Sequence, residues 1–437
     1  MKRKGIALLL AGMMAASLAG CTTKSPMEHA DSSSDSGKAT SESKTGNDGE
    51  AITIQFWNAF TGTDGDVLRE IVDKYNETND KNITIEMDIM PGSSLEEKLP
   101  AAVATKTAPA LIIRGNFDTA TYAENGVLVP MDDFYESVGM SEGDFSQASV
   151  DALKYEEKQY MIPMQVHSTF LYWNKDLFEA AGLDPETPPA TWAEAAEYAE
   201  KITDSSKKIY GIGFPVSGAP CYFDAMFKSN GGDVFNEEGT ASVLDSEANL
   251  KTLEYIQNLV KTGFAPVGST GADTDNLMLA GQLGIYAGGP WLITGLKEND
   301  INFGVTGMPA GEESAKGVIE VQGFGVTSSA SEEEKAAAYD FIAYWNTPEV
   351  SKEWSLRNGY PPYLTALSDD ADIKDDEIVS ALSSISDFGF SFAPGVKVVK
   401  QVNNEILFPL IENVVAGNDP QTELSNASNA IDELLKK

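Results

Sequence analysis

The stretch ITIQFWNAFTGTDGDVLREIVDKYNETNDKNITIEMDI, residues 52–89, decides the fold. Apolar residues alternate with polar ones from Ile52 to Phe56, recur at helical spacing from Val67 to Tyr75, and alternate again from Ile83 to Ile89. A second helical stretch then leads to the short apolar run ALIIRG, residues 110–115. Strands and helices in this order predict a parallel sheet with crossover helices, and therefore an α/β fold.

The carboxyl ends of the predicted strands carry candidate ligand contacts. In open parallel sheets ligands bind beyond these ends. The first strand is followed by Trp57, Asn58 and Asp64, and the run 110–115 contains Arg114. We expect these residues to contact a ligand. The alternatives are that the tryptophan packs into the core and that Asn and Asp form caps or turns.

The first 50 residues are predicted to lie outside the folded domains. Three basic residues precede an uncharged run from Gly5 to Gly20, as in a secretory signal. The sequence LAGC, residues 18–21, resembles a bacterial lipobox, which predicts a signal peptide over residues 1–20 and a lipid on Cys21. Residues 21–50 are polar and predict a flexible tether. We expect the chain on the outer face of the cytoplasmic membrane, most naturally of a Gram-positive cell.

The composition argues against several functions. Asp and Glu number 67 against 31 Lys and Arg, a net charge of −36, which disfavours nucleic acid and anionic lipid as partners. Of the two cysteines one would carry the lipid, so no disulfide is expected. One of the two histidines lies in the tether, so we expect no metal site and no cofactor. The acidic run DTDNL, residues 273–277, lacks the glycine of a calcium loop and is interpreted as a solvated turn.

Six segments farther along the chain carry a family resemblance. They are FLYWNKDLFEAAGLDP (170–185), PPATWAEAAEYAEKI (188–202), FKSNGGDVF (227–235), LAGQLGIYAGGPWL (279–292), AAAYDFIAYW (336–345) and WSLRNGYPPY (354–363). Their order and spacing resemble those of extracellular solute-binding proteins of bacterial ABC importers, of the family 1 carbohydrate type and in lipoprotein form. The resemblance extends from about Ile52 to about Leu364.

The resemblance implies a two-lobed periplasmic-binding-protein-like fold of type II, similar to that of maltose-binding proteins, with the ligand in a cleft between discontinuous domains. Such a protein captures a carbohydrate, here an expected oligosaccharide, closes by hinge motion and delivers its ligand to an ABC permease. We expect it to act as a monomer. The expected N-lobe comprises residues 51–163 and 310–347, the C-lobe comprises 164–304 and 348–437, and hinge segments lie near 163, 305–309 and 346–348.

Trp291 is the foremost candidate for a sugar platform. Gly288, Gly289 and Pro290 end a strand-like run directly before it. A sugar ring offers an apolar face of C–H groups and a rim of hydroxyls, so a cleft needs a flat aromatic ring and fixed polar groups. The alternative is that Trp291 fills the core of its lobe.

The resemblance and the local sequence point to further ligand contacts. We expect contributions from two polar residues before the FLYWNK strand, from an aromatic residue before FKSNGGD, from a polar residue before a glycine-rich run, and from the tyrosine of the NGYPPY turn. These residues are Gln165, His167, Tyr222, Gln322 and Tyr360. Core packing or a structural hydrogen bond is the alternative for each.

Arginine usage leaves the charge of the ligand open. The mature chain has only Arg69, Arg114 and Arg357, and the first is expected to face solvent. If Arg114 and Arg357 both border the cleft, an anionic ligand such as a uronate, a sialic-type sugar or glycerol 3-phosphate competes with a neutral oligosaccharide. Otherwise each arginine pairs with a neighbouring carboxylate.

The sequence disfavours an enzyme. It lacks the Gly-x-Ser-x-Gly, His-Glu-x-x-His, Gly-x-x-x-x-Gly-Lys and Gly-x-Gly-x-x-Gly patterns. Two carboxylates suffice for a glycosidase, so a secreted glycan hydrolase remains an alternative that composition does not exclude. A structural surface lipoprotein would explain the tether but not the six family-like segments.

Overall fold

The computed structural model of the chain describes residues 51–216, 221–384, 388–393 and 396–436. The predicted signal peptide, Cys21 and the tether, residues 1–50, lie outside the described residues. The described residues all belong to a single compact unit, Asn47–Lys437, built from strands and helices.

The elements alternate along the chain much as the periodicity predicts. The strands are β1 (Ile52–Asn58), β2 (Ile83–Ile89), β3 (Leu111–Gly115), β4 (Lys154–Tyr155), β5 (Lys158–Gln159), β6 (Ile162–His167), β7 (Phe170–Asn174), β8 (Tyr210–Gly213), β9 (Leu283–Gly288), β10 (Phe303–Thr306), β11 (Gly317–Val318), β12 (Glu320–Val326) and β13 (Gly389–Phe390). The described α-helices are α1 (Thr63–Thr78), α2 (Gly92–Ala104), α3 (Thr119–Glu124), α4 (Phe134–Val138), α5 (Gln147–Asp151), α6 (Lys175–Ala180), α7 (Trp192–Ile202), α8 (Cys221–Ser229), α9 (Glu247–Lys261), α10 (Gly271–Leu279), α11 (Ile293–Glu298), α12 (Glu332–Trp345), α13 (Pro348–Asn358), α14 (Ala371–Asp375), α15 (Glu377–Ser383), α16 (Val399–Val402), α17 (Phe408–Val415) and α18 (Pro420–Leu435).

The first lobe is built on a five-stranded sheet in the order β2-β1-β3-β12-β6. β1 runs parallel to β2 and β3, so the predicted parallel sheet is confirmed for these strands, whereas β12 runs antiparallel to both of its neighbours. Alternation along β1 buries Ile54 and Phe56. The ring of Phe56 contacts Phe324 of β12 and Phe341 of α12 at centroid distances of 6.0 and 5.9 Å, which joins the sheet to its covering helix.

The second lobe is built on a four-stranded sheet in the order β10-β7-β9-β8. Its central strand β7 is FLYWN, the start of the first family-like segment, and all five of its residues are buried. Helices α7 and α9 cover this sheet with a shared core that includes Trp192, Ile256 and Val260. The mixed strands and helices of the two lobes form the expected α/β fold.

The chain crosses between the lobes at places that differ in part from the expected hinges. The first crossing follows His167, the last residue of β6, and β7 begins at Phe170. Pro163, where a crossing was expected, lies inside β6 opposite Gly323, next to a shift in the strand register. A proline is tolerated at such an irregularity, so it does not end the strand. The return crossing lies between Thr306 and Glu320, and it overlaps the expected segment 305–309 only from residue 307, because residues 305 and 306 belong to β10.

The expected change of lobe near residues 346–348 is not observed. Pro348 only starts α13 after a Thr347 N-cap, and α13 stays in the core of the first lobe. Trp354 of this helix packs against Trp345 of α12 with ring centroids 5.0 Å apart. The core of the first lobe extends to Val379, whereas the core of the second lobe contains buried residues from Val399 to Leu434, so the chain passes to the second lobe after Val379 and not near residue 348.

Candidate ligand-binding site

A cavity of about 1060 Å³ lies beyond the carboxyl ends of β1 and β3. Residues 59–64 and 113–115 of the first lobe line it, together with residues of α10 and Trp291 of the second lobe. Small-molecule sites commonly measure about 300–1,000 Å³, so this cavity lies at the upper end of that range. Both its size and its position suit a ligand-binding site.

Seven of the eleven predicted contacts line this cavity, and four do not. Those in the lining are Asp64, Arg114, His167, Tyr222, Trp291, Gln322 and Tyr360. Those outside it are Trp57, Asn58, Gln165 and Arg357.

The four residues outside the cavity have structural roles, which corrects the prediction for each. Trp57 points to the opposite face of β1 from Phe56, because side chains alternate along a strand, and packs against Leu95 and Leu99 of α2. The Oδ1 atom of Asn58 accepts a hydrogen bond from the backbone N–H of Phe60 at 3.1 Å and so shapes the turn after β1.

The other two, Gln165 and Arg357, are held by polar contacts that involve α13. The Oε1 atom of Gln165 accepts a hydrogen bond from Nε1 of Trp354 at 3.0 Å. Arg357 is paired with Glu70 at 2.6 Å and Glu353 at 3.4 Å. Arg357 therefore forms local ion pairs, which was the alternative to a ligand contact in the sequence analysis.

Trp291 is positioned by the glycine that precedes it. A Cβ atom on Gly289 would lie 1.9 Å from Cζ3 of the Trp291 ring, so only glycine lets the ring fold back over the chain at this point. The ring meets His167 in an edge arrangement with centroids 5.9 Å apart. Trp291 is partly exposed and lines the cavity while it touches a small apolar cluster around Tyr286.

His167 connects Trp291 to Tyr360. The rings of His167 and Tyr360 are 5.9 Å apart, and Tyr360 stacks on Trp354 at 5.4 Å with an interplanar angle of 14°. Burial lowers the pKa of His167, against an opposing effect of Glu320, so the imidazole is neutral at pH 7. These aromatic side chains therefore form one wall of the cavity without adding positive charge.

Asp64 is a buried carboxyl beside this wall. It accepts hydrogen bonds from the backbone N–H of Gly65 at 2.9 Å and from the Tyr360 hydroxyl at 3.4 Å. Burial outweighs these bonds and raises its pKa to about 7. At neutral pH the Asp64 carboxyl can therefore accept or donate hydrogen bonds.

Asp275 is a second carboxyl of the cavity, partly buried and supplied by α10 of the second lobe. The run DTDNL that contains it was interpreted as a solvated turn, and this interpretation is wrong because the run forms part of a helix that borders the cavity. Burial raises the pKa of Asp275 to about 6, while hydrogen bonds from Tyr286 and Trp291 oppose the shift. We call Asp64, His167, Asp275, Trp291 and Tyr360 the aromatic group.

Arg114 belongs to a different part of the cavity, where it is already paired. Its Nε donates to Asp118 at 2.6 Å and its Nη2 to Glu96 at 2.7 Å. Lys400 of α16 binds the same two carboxylates, touching Asp118 and approaching Glu96 to 3.5 Å. We call these four residues the ionic group. β12 lies between the strands that carry Arg114 and His167, so the axes of these two strands are about 10 Å apart.

The remaining predicted residues divide between the cavity and the core. Tyr222 is only 3% exposed and belongs to the core of the second lobe as well as to the cavity lining. Gln322 is partly exposed and lines the cavity beside Glu320. Arg69, expected to face solvent, is exposed but lines the cavity, and no ion pair within the described part of the chain holds it.

Sequence reasoning missed lining residues of both lobes. It did not single out Glu96, Asp118, Lys400, Asn403, Asn404 or Phe408, which also line the cavity. Across the residues described, no three His, Cys, Asp or Glu side chains come together as a metal site, and no helix has the length and apolar character of a membrane span.

Comparison with known proteins places the chain among solute-binding proteins. A family model described as bacterial extracellular solute-binding protein matches residues 70–381. The maltotriose-binding protein of Pyrococcus abyssi is 26% identical over 293 residues, which are 65% of this chain and 61% of that protein. The sn-glycerol-3-phosphate-binding periplasmic protein of Escherichia coli K12 is 26% identical over 348 residues, 74% of this chain and 77% of that protein.

Solved structures show the same fold. An ABC substrate-binding protein of Listeria monocytogenes, solved in complex with cycloalternan, superposes with a TM-score of 0.77 at 24% identity over 89% of this chain and 100% of that chain. The two lobes described above therefore correspond to the two-lobed type II arrangement of maltose-binding-protein-like proteins.

Proposed function

The chain belongs to the bacterial extracellular solute-binding protein family, and from this membership we propose that it captures a neutral carbohydrate, an oligosaccharide, in the interlobe cavity and delivers it to an ABC permease. Members of this family bind solutes and do not transform them, so no catalytic residue is assigned. The observation that carries the proposal is the aromatic group, in which a partly exposed tryptophan shares the cavity wall with a buried and a partly buried carboxyl, neither of which has a cationic partner among the described residues.

The aromatic group has the chemistry that a sugar ring requires. Trp291 offers a flat surface to the apolar C–H face of a ring. The carboxyls of Asp64 and Asp275 can accept hydrogen bonds from hydroxyls, and the amide of Gln322 supplies both a donor and an acceptor. Asp64 comes from the first lobe and Asp275 from the second, so a sugar between them would be held from both sides.

The charges of the cavity favour a neutral ligand over an anion. Arg114 and Lys400 are both committed to Glu96 and Asp118, which neutralises the ionic group. Outside that group the lining holds four carboxylates, and Arg69 is its one cation among the residues described. These four carboxylates are Asp64, Asp66, Asp275 and Glu320. An anionic sugar would have to enter a region of excess negative charge.

An anionic ligand is the second candidate because of Arg69. This arginine lines the cavity without an ion pair among the described residues, and the sn-glycerol-3-phosphate-binding relative shares 26% of its aligned sequence with this chain. A phosphate or carboxylate placed near Arg69 would gain a planar set of donors. The exposure of Arg69 weakens this attraction relative to a buried site.

We extend the proposal to the place where the protein acts. A lipid on Cys21 would hold the chain on the outer face of the cytoplasmic membrane of a Gram-positive cell, with residues 21–50 as the tether, and the two lobes would close around the ligand by hinge motion as a monomer. Substituting Cys21→Ser should release the chain from the membrane fraction into the medium. Retention of the variant in membranes would contradict the lipid anchor.

A thermal-shift screen tests the ligand class. Residues 22–437 omit only the predicted signal peptide and the lipidated cysteine, and they are heated with maltose, maltotriose, cellobiose, glucuronate, N-acetylneuraminate or sn-glycerol 3-phosphate. Ligands that bind the native state raise the unfolding midpoint in proportion to the logarithm of their concentration over Kd. We expect shifts with the neutral oligosaccharides. Shifts with the anions alone would favour the second candidate, and recovery of cleaved sugar would favour a hydrolase.

A further inference from the structure

Two lysines of the second lobe bind the first lobe at the ionic side of the cavity. Lys397 and Lys400 lie at the start of α16, which leads through a π-helical turn, Asn403–Leu407, into α17. Val399 and Val402 fix this segment in the core of the second lobe. Every ion pair that the structure describes for either lysine is with a carboxylate of the first lobe. The segment is therefore anchored in one lobe and bound to the other.

Lys400 bridges the two walls of the cavity. Its ammonium group binds Asp118, approaches Oε1 of Glu96 to 3.5 Å and lies 4.9 Å from the centroid of the Tyr122 ring. Lys400, Asp118 and Glu96 all line the cavity. Because the lysine and the two carboxylates come from different lobes, opening the cavity at this point separates them and leaves their buried charges unpaired.

Lys397 makes a second and more exposed contact with the first lobe. Its ammonium group lies 2.8 Å from Glu124, 3.9 Å from Glu156 and 5.4 Å from the centroid of the Tyr155 ring. Tyr155 and Glu156 belong to the β4–β5 hairpin, whose turn holds Glu156 and Glu157 at φ angles of 47° and 65°. Tight hairpin turns normally use Asn or Gly for such angles, and strained backbone is common where it has a function. Here the turn holds Glu156 beside Lys397.

The other charges of the protein oppose contact between the lobes. The chain has a net charge of −36. Outside the ionic group, carboxylates of both lobes line the cavity, Asp275 on the second lobe and three on the first. Like charges repel as the two surfaces approach. Lys397 and Lys400 set positive charge of the second lobe against negative charge of the first, and so offset this repulsion.

We propose that Lys397 and Lys400 form a latch that favours the closed arrangement of the lobes before a ligand arrives. This inference rests on the hinge closure of the proposed function. A ligand then uses less of its binding free energy to bring the lobes together, so the apparent affinity rises with the fraction of closed molecules. Salt screens the latch, and Lys397, whose side chain is 56% exposed, is screened more than Lys400 at 19%. Closure therefore depends on ionic strength.

The distance between two spin labels tests the latch without any ligand. Nitroxides are attached to Lys98→Cys of α2 and Asn426→Cys of α18 in the chain of residues 22–437 with Cys221→Ser; both labelled positions are exposed, and they lie in different lobes. Double electron–electron resonance gives the distribution of their separation. In about 50 mM NaCl we expect one short distance, and in Lys397→Met/Lys400→Met about half of the molecules or more at a longer distance. About 500 mM NaCl should lengthen the distance in the chain with both lysines and change the variant little.

Lys74→Met/Lys335→Met is the matched control. Lys335 is as exposed as Lys400, at 19%, and Lys74 at 46% is close to Lys397 at 56%, but the ion pairs of Lys74 and Lys335 lie within the first lobe. The control removes the same charge and should keep the short distance. Lys397→Arg/Lys400→Arg should also keep it, which separates loss of the latch from a general loss of folding.

The latch is overturned if Lys397→Met/Lys400→Met keeps the short distance in low salt, or if the control variant lengthens the distance equally. Neither outcome involves a sugar, so both leave the proposed function standing. Failure of every sugar to bind the native chain would contradict the proposed function and not the latch, so the two failures are distinguishable.

Discussion

The two groups of the cavity hold their buried charges in opposite ways. In the aromatic group neither Asp64 nor Asp275 has a cationic partner among the residues that the structure describes, and burial raises their pKa values to about 7 and about 6. In the ionic group Arg114 and Lys400 are each bound to Asp118 and Glu96. A buried charge that is paired contributes to the structure, whereas a carboxyl left unpaired at a cavity wall is available to a ligand. Under the proposed function, the first group recognises the ligand and the second group joins the two lobes.

The largest expected effect is on the pH dependence of the free energy of unfolding, to which the unpaired Asp64 contributes. Its folded pKa of about 7 lies above the ordinary 3.8, so folding favours the protonated form. This contribution to stability is complete below about pH 4 and is lost as the pH rises through 7. The difference between these two pKa values corresponds to a free energy on the order of 4 kcal/mol. Asp64→Asn, which resembles the protonated acid, should therefore unfold at a higher temperature than the native chain at pH 8.

Calorimetric unfolding between pH 4 and pH 8 checks this prediction. The stability difference between Asp64→Asn and the native chain should shrink toward zero at pH 4. Asp66→Asn serves as control, since Asp66 is exposed two residues along the same helix. If Asp64→Asn were less stable than the native chain at pH 8, the carboxylate would have an unrecognised cationic partner, and the contrast between the groups would disappear.

The next effect, on affinity, follows from the platform role of Trp291. Trp291→Ala removes a partly exposed ring from the cavity, which should weaken sugar binding by about 2 kcal/mol, or roughly thirtyfold, with little change in the unfolding midpoint. Trp57→Ala is the matched control, because Trp57 packs against α2 outside the cavity. It should lower the midpoint and leave the dissociation constant unchanged. If Trp291→Ala instead lowered the midpoint and left the dissociation constant unchanged, Trp291 would be a core residue and not a sugar platform.

These two tryptophans also show how far the sequence alone could lead. The alternation of residues 52–58 predicted β1 correctly, and the same alternation, applied to Trp57, places its side chain opposite to Phe56. The position of Trp291 depended on the glycines before it, and Gly289 indeed lies under the ring. The local sequence pattern was sufficient to predict a side chain's position where the backbone geometry alone determines its direction.

The wall at residues 400–408 could not be predicted in this way. Its buried residues include Val399, Val402, Leu407 and Leu410, whose irregular spacing matches neither the helical nor the strand period because a π-turn interrupts the helix. Arg114 lines the cavity, but its partner Glu96, and Lys400, the second cation that binds Glu96, are distant from it in sequence. Ion pairs between residues that are distant in sequence depend on the tertiary fold, and local periodicity does not predict them.

A smaller effect is expected from breaking the ionic group. Lys400→Met leaves Asp118, whose side chain is 7% exposed, with Arg114 alone, and should lower the stability by about 1–2 kcal/mol at low salt. Lys335→Met is the control: Lys335 is as buried as Lys400, at 19% exposure, but its partner Asp133 is 63% exposed. Its loss should cost less than about 1 kcal/mol. Equal losses from both variants, measured by urea unfolding, would show that the ionic group is no more than a surface pair.

The smallest effect is expected at Arg69, the cation of the described lining that lacks an ion pair. If the ligand is neutral, Arg69→Gln should change the affinity for maltotriose or cellotriose less than threefold, because an exposed guanidinium attracts a hydroxyl only weakly. The control is Arg357→Gln, which removes a paired arginine outside the cavity. Isothermal titration with sn-glycerol 3-phosphate tests the alternative that the ligand is an anion. Binding of that anion to the native chain, weakened more than tenfold by Arg69→Gln but not by Arg357→Gln, would mean that the free cation, and not the aromatic group, selects the ligand.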